Sequence, residues 1–284
     1  MPVAIPTSLA AAVEAAAALP GAHLLAGGTD VMVEVSFGHR RFDDVIALDR
    51  VPELRAWHHD QGAGVVRLGA GVTYATCERP PLSALLPALA EAARTVGSPQ
   101  IRNAGTVGGN LGTCSPAGDA LPVLSALDAR VELVSVGGSR TVSVHDFMVG
   151  VKRTDRRPGE LISAVTVPVL DGWQGYTKVG VRNAMVIAIA SACLAVDRPG
   201  RTVRIALGAV GPTVLRARAA EAWVAGEVDW EAGALAGDPE ALARELGERV
   251  AAEARPIDDH RSTAAYRRHA VAVLTSRLLR RAFP

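Results

Sequence analysis

The stretch Asn103-Ala104-Gly105-Thr106-Val107-Gly108-Gly109-Asn110-Leu111-Gly112-Thr113 constrains the chain most. It holds four glycines and no charged residue in eleven positions. Glycine has no Cβ, so it admits positive φ and lets another backbone or a ligand come close. Consecutive amides in such a turn can point into one concavity and bind an anion. Arg102 precedes the stretch, and Ser115-Pro116-Ala117-Gly118-Asp119 follows it. It reads as a binding loop for a ligand that carries phosphate and hydroxyls. A second glycine stretch, Leu25-Ala26-Gly27-Gly28-Thr29-Asp30, lies between a short apolar segment and a helical pattern. Its amides would present a helix N-terminus to a phosphate. One such loop is most often a plain turn, whereas two in one chain point to a shared ligand.

Composition narrows the classes. With 284 residues, 49% hydrophobic and 21% charged, the chain can bury a core of one large or two ordinary domains. A net charge of +1 argues against a dominant nucleic-acid or membrane surface. No apolar run is long enough to span a bilayer. The start Met1-Pro2-Val3-Ala4-Ile5-Pro6 lacks the basic and apolar regions of a signal peptide, so a cytoplasmic location is expected. Cys77, Cys114 and Cys193 are widely spaced, with no CxxC, so neither zinc nor an iron–sulfur cluster is expected in this chain. The seven histidines show no ligand spacing, and no metal site is expected. Neither GxGxxG nor GxxxxGK occurs, which removes the Rossmann fingerprint and the P-loop.

In chain order, Ser8 to Leu19 reads as a helix capped by Thr7 or Ser8. A strand at His23 to Leu25, a helix at Val31 to Phe37 and a strand at Asp44 to Leu48 make a β–loop–α–β unit. A strand pair is expected at Leu54 to His58 and Val65 to Leu68, and one helix over Pro81 to Val96. A helix at Ala120 to Leu127, a hairpin over Arg130 to Val136 and Thr141 to Val144, and a strand at Glu160 to Val167 follow. Strands at Gly175 to Val181, Val186 to Val196 and Thr202 to Val210 precede helices at Arg216 to Ala225, Pro239 to Ala254 and Thr263 to Ala282. Ser262 is the expected cap of the last, with an apolar stripe at Tyr266, Ala270, Val273, Leu274 and Leu278.

The pair AGGTD at 26–30 and TVGGN at 106–110, the latter followed by SPAGD at 115–119, resembles the FAD-binding subunit of the molybdenum hydroxylases. The resemblance continues through 175–184, 205–213 and 258–268, with the blocks in the family's order. It implies an α+β chain. A two-part FAD-binding domain of the PCMH type would fill 1–170, in subdomains of about 1–52 and 53–170. A domain of the carbon monoxide dehydrogenase flavoprotein type, a small antiparallel sheet with helices on one face, would fill 173–284. It implies FAD in this chain, with [2Fe–2S] clusters and molybdopterin in partner subunits, in a dimer of heterotrimers. The chain would be an oxidoreductase subunit passing electrons from those clusters through FAD to NAD⁺, oxygen or another acceptor. The stretch 33–41 most resembles xanthine dehydrogenase-type members. The alternatives are a self-contained FAD-dependent oxidoreductase and a flavin-free assembly subunit.

The same resemblance implies cofactor contacts from Leu25, Ala26, Gly27, Gly28, Thr29, Asp30, Val31 and Met32, and from Gly105, Thr106, Val107, Gly108, Gly109 and Asn110. The amides of Ala26 to Asp30 and Thr106 to Asn110 would serve the diphosphate. Thr29 is either a phosphate ligand or a turn residue, and Asp30 a helix cap or a ribityl partner. Asn110, Ser115 and Asp119 would meet ribityl hydroxyls or the ring edge, with Asp119 as an N-cap in the other reading. Lys178 would stand near the ring, or be a solvated strand residue. Leu161 or Ile162 would touch the flavin, or be core. No residue is expected to be catalytic, because the flavin does the chemistry. Arg102 reads as a structural or interface charge, Arg40-Arg41 and Arg267-Arg268 as charge pairs on solvated faces or a partner surface, and Cys114 as a small buried hydrophobe.

Overall fold

The computed structural model describes residues 3–39 and 41–284, so Arg40 of the Arg40-Arg41 pair lies outside the described residues. Packing divides the chain into two units that interleave in sequence. Unit 1 comprises 1–77, 98–114 and 128–168, and unit 2 comprises 78–97, 115–127 and 169–284.

Among the described residues, unit 1 holds two larger sheets and the short antiparallel pair Met148–Gly150 and Arg153–Thr154. The alanine-rich helix Leu9–Ala18 starts where Ser8 Oγ accepts from the Ala11 amide at 3.2 Å. Beyond it, Val3–Ala4 and His23–Leu25 both pair in parallel with Val45–Ala47, which lies between them. The helix Val31–Ser36 links the last two strands, as the β–loop–α–β reading expected. The second sheet is antiparallel, in the spatial order Trp57–Asp60, Val65–Gly69, Leu161–Pro168, Arg130–Ser135 and Gly138–Ser143. Its central strand Leu161–Pro168 is almost wholly buried and carries a bulge between Ile162 and Ala164. The first strand starts later than its β-pattern suggested. Pro52–Arg55 forms a 3₁₀ turn instead, burying Leu54 and offering its carbonyl to the Gly71 amide at 2.7 Å.

Unit 2 is built on the antiparallel sheet Gln174–Val179, Ala190–Asp197, Thr202–Gly208 and Leu215–Arg216. Ala192, Leu194, Ile205 and Leu207 point to one face, where they pack with Val224, Leu246, Val250, Val271 and Leu278 of the helices Arg218–Gly226, Pro239–Glu253 and Ala264–Ala282. Those C-terminal helices cover one face, as expected. The opposite face, with Tyr176, Cys193 and Gly208, takes the helices Pro87–Thr95 and Ala120–Ala126 from earlier in the chain. All seven residues of Ala120–Ala126 are buried, which an amphipathic surface helix would not show.

Three local expectations change. The helix expected over Pro81 to Val96 is two helices, Leu82–Leu85 and Pro87–Thr95. Leu86 leaves the helical region at φ −130°, because Pro87 lacks an N–H and disfavours α geometry in the residue before it. Thr263 rather than Ser262 caps the last helix, accepting from the Tyr266 amide at 3.2 Å. The Ser262 amide instead donates to Asp259. Ala270, Leu274 and Leu278 of the expected stripe are buried, but at its start Tyr266 is 47% exposed and Arg267 only 4%.

Leu124, fully buried in Ala120–Ala126, tests the two-faced sheet. Leu124→Ala should lower unfolding free energy by about 2–5 kcal/mol in urea titrations.

Candidate functional site

In unit 1, the strand His23–Leu25 ends at the turn Ala26-Gly27-Gly28. Gly28 takes φ +69°, a region other residues rarely occupy. Gly27 is needed for a different reason: a Cβ there would lie 1.8 Å from the Ala104 carbonyl oxygen. The two glycine stretches therefore touch, backbone against backbone. The N–H groups of Ala26, Gly27, Gly28, Thr29, Asp30 and Val31 find no acceptor among the described residues, and neither does the Thr29 hydroxyl. Six successive unbonded amides beyond the carboxyl end of a parallel strand are donors of the kind that bind anions. Asp30 stands at the N-cap position but makes no side-chain cap. It faces Lys152 instead, with Nζ 3.9 Å from Oδ2. Val31 is buried and Met32 is half-exposed.

The central glycine stretch corrects the expectation of an open loop. Val107–Thr113 is a helix, preceded by a helix Pro99–Ala104. Thr106 caps it, with Oγ1 accepting from the Gly109 amide at 2.9 Å. The Val107 amide donates to the Val72 carbonyl, Gly108 to Ala70 and Asn110 to Thr106. Four of the five expected donors are thus already bonded, and only the Thr106 amide has no acceptor among the described residues. The glycines here serve packing: a Cβ on Gly108 would sit 2.4 Å from the Ala70 Cβ. Gly105 is less tightly placed, its Cβ position 3.0 Å from the Ile101 carbonyl oxygen. Asn110 keeps a different role. Its Oδ1 is buried with no donor in the structure. A buried unpaired amide oxygen is costly, and its natural partner is a ligand hydroxyl or N–H. Gly112 is exposed beside Ile162, whose Cδ1 lies 3.7 Å from the glycine's Cβ position. Leu161 is fully buried, so of the two residues only Ile162 reaches this edge.

In unit 2 the polar groups converge on Asp119. It holds the N-cap position of Ala120–Ala126 but makes no side-chain cap, which removes the capping reading. Oδ1 accepts from the Tyr176 hydroxyl at 2.8 Å, and Oδ2 from Lys178 Nζ at 2.7 Å. Lys178 also donates to the carbonyls of Thr95 and Val186, each at 3.0 Å. Its side chain is 6% exposed, so it is no solvated strand residue. All three ammonium protons have acceptors. Burial pushes the Asp119 carboxyl above the usual range, against the pull of Lys178 and Tyr176. Burial, reinforced by Asp119, raises the Tyr176 phenol well above its ordinary value. Ser115 closes the loop before Asp119, its Oγ accepting from the Ala117 amide at 3.3 Å. Tyr176 was missed in the sequence. The available signal was its spacing: two residues before Lys178 on a strand, it points to the same face.

A parallel strand ending in free amides, with buried polar groups reserved elsewhere, describes a protein that holds a phosphate-bearing organic cofactor. Residues 1–170 match the family described as the FAD binding domain in molybdopterin dehydrogenase. Residues 175–282 match the carbon monoxide dehydrogenase flavoprotein C-terminal domain. The chain belongs to this family, the FAD-binding oxidoreductase subunits of the molybdenum hydroxylases. It is 33% identical to the glyceraldehyde dehydrogenase medium chain of Sulfolobus acidocaldarius over 255 residues, covering 88% of this chain and 87% of that one. It is 33% identical to the carbon monoxide dehydrogenase medium chain of Hydrogenophaga pseudoflava over 201 residues, 69% of each. Among solved structures, quinoline 2-oxidoreductase from Pseudomonas putida 86 superposes with a TM-score of 0.89 at 26% identity, covering 99% of this chain and 95% of that one.

Lys178→Met should destabilise the protein by about 3–5 kcal/mol at neutral pH, because it strands a buried carboxylate. Without the cation, burial is opposed only by the Tyr176 hydrogen bond, and the Asp119 carboxyl pKa rises further. A raised folded-state pKa gives stability that is present at low pH and lost as pH rises through it. The deficit should therefore shrink on acidification, and adding Asp119→Asn should relieve it at neutral pH. Denaturant unfolding across pH for the single and double variants checks both points.

Proposed function

We propose that this chain binds FAD and relays electrons from [2Fe–2S] clusters of a small partner subunit to NAD⁺, oxygen or another carrier. The assembly would be a cytoplasmic dimer of heterotrimers whose large subunit holds molybdopterin and the substrate. The observation that carries the reading is the row of unbonded amides from Ala26 to Val31, together with the unpaired Asn110 Oδ1. Both fit FAD, whose diphosphate needs donors and whose ribityl hydroxyls and ring edge can donate. When bound, FAD supplies a carrier that takes and releases electrons singly or in pairs, which suits the junction between one-electron clusters and a two-electron acceptor.

This chain's residues then have positional roles. Ala26 to Val31, the Thr29 hydroxyl and the Thr106 amide hold the diphosphate. Gly27, Gly28, Gly105, Gly108 and Gly109 let the backbones close up around it, with Leu25, Met32 and Val107 as flanking contacts. Asn110 receives a ligand donor. Asp119 and Ser115 serve the ribityl chain, since each carboxylate oxygen of Asp119 retains a lone pair beyond its bond to Tyr176 or Lys178. Ile162 packs on an apolar edge. Lys178 acts through Asp119 and the carbonyls it clamps, and its charge favours a reduced, anionic ring. No helix among the described residues is long and apolar enough to cross a membrane.

For the whole assembly we favour a purine or other N-heterocycle as substrate, in the manner of xanthine dehydrogenase. The likeness of residues 33–41 and the match to a quinoline enzyme support this. Medium chains named for glyceraldehyde and carbon monoxide dehydrogenases are equally similar to this chain, which supports a substrate site in the large subunit rather than here.

The visible absorption spectrum of the purified chain, before and after anaerobic NADH, tests the reading. A flavin spectrum is expected, and bleaching identifies a nicotinamide acceptor. A spectrum that persists assigns oxygen or another carrier. A colourless chain that is also colourless in its co-purified complex overturns the proposal. Thr29→Ala should weaken FAD binding by roughly 1 kcal/mol, the value of one hydrogen bond, measured by fluorescence titration of the apoprotein.

A further inference from the structure

Arg267 is the least expected buried charge in the protein. It lies on the last helix, 4% exposed, within unit 2. Its Nη1 donates to the carbonyls of Ile189 and Ala209, both at 2.8 Å, and its Nη2 to Asp259 Oδ1 at 2.6 Å. Asp259 is itself fixed by the amides of Arg261 and Ser262, and these bonds together with Arg267 hold its carboxyl below the usual range despite desolvation.

The two carbonyls are not arbitrary. Ile189 immediately precedes the strand Ala190–Asp197, and Ala209 immediately follows Thr202–Gly208. Both lie at the same end of neighbouring strands, where Ser191 pairs with Lys178 on one side and Gly208 on the other. From Ile189 the chain runs back to Val186, whose carbonyl accepts from Lys178. Ala209 sits at φ +60°, and its amide donates to the Pro116 carbonyl at 2.7 Å, three residues before Asp119. One guanidinium nitrogen thus fixes both segments that frame the Asp119–Lys178 pair. Burying a guanidinium for two carbonyls and one carboxylate, with Nε left unpaired, is expensive for packing alone.

We propose that Arg267 is a positioning residue for the cofactor. By clamping Ile189 and Ala209 it sets the Asp119–Lys178 geometry and so the flavin's affinity and reduction potential. The inference rests on the FAD reading above. Lysine cannot replace it, because a single ammonium cannot span two carbonyls and Asp259 in the planar arrangement that a guanidinium offers.

The test uses the full chain loaded with FAD. Arg267→Gln and Arg267→Lys are compared with Val250→Ala, a buried apolar truncation in the same unit. Melting temperature, FAD dissociation constant and spectroelectrochemical midpoint potential are measured for each. Both Arg267 variants should bind FAD about tenfold more weakly and show a lower potential, as a less well-placed cation disfavours the reduced ring. Val250→Ala should lower the melting temperature without either change. If the Arg267 variants lose only thermal stability, in step with Val250→Ala, the inference is overturned while the FAD reading stands. If neither the wild-type chain nor its co-purified complex takes up FAD, the earlier reading fails instead. Should the Arg267 variants not fold, Asp259→Asn at the outer end of the clamp decides. A drop in potential and affinity supports the proposal, and unchanged values overturn it.

Discussion

Unit 1 depends on two places where backbones meet with no side chain between them. Gly27 lies against the Ala104 carbonyl and Gly108 against Ala70, at separations that no Cβ could tolerate. These contacts fix the turn after His23–Leu25 relative to the helix Val107–Thr113. They also explain why the two glycine stretches behave so differently. One keeps its amides free because its strand has ended and its short helix has yet to begin. The other spends its amides on Ala70, Val72 and Thr106 to hold the contact in place.

Unit 2 is governed by a buried pair. Asp119 and Lys178 are both almost inaccessible, and each has partners for its charge. Such a pair adds little net stability over an apolar equivalent, but misplacing either member is costly. It therefore acts as a geometric lock. Lys178 can be satisfied only when the end of Pro87–Thr95, the start of Ala120–Ala126 and the segment around Val186 are all in place. A site arranged in this way is preorganised, since its charges are held by protein groups and do not wait for a ligand to order them.

Much of this was legible in the residues. The two glycine motifs and the order of later blocks pointed to the family, and periodicity placed most strands and helices. What escaped has physical causes. Glycine density suggested a loop at 105–112, yet Thr106 supplies a cap and surrounding contacts supply the stability that a glycine-rich helix lacks by itself. Leu82 to Val96 carries a continuous helical stripe, but Pro87 breaks the helix that the stripe advertises. Ser262 looked like a cap, but the helix begins one residue later, where Thr263 Oγ1 accepts from the Tyr266 amide. Tyr176 and Arg267 gained their importance from partners 57 and 78 residues away, which no local pattern encodes.

The interleaving of the two units bears on how the chain is made. The helix Ala120–Ala126 is buried on every side, yet the strands that cover it, Ala190–Asp197 and Thr202–Gly208, come later in the chain. During synthesis this apolar helix must wait, exposed, for those strands to appear, and so must Pro87–Thr95. Segments in that position are natural clients of holding chaperones and the first to aggregate when elongation stalls. The same wiring means that a fragment ending near residue 168 would hold the free-amide stretch intact in sequence while leaving Ala120–Ala126 without the strands that bury it. The packing of unit 2 therefore waits on residues beyond 168, whereas every segment of unit 1 has been made by then.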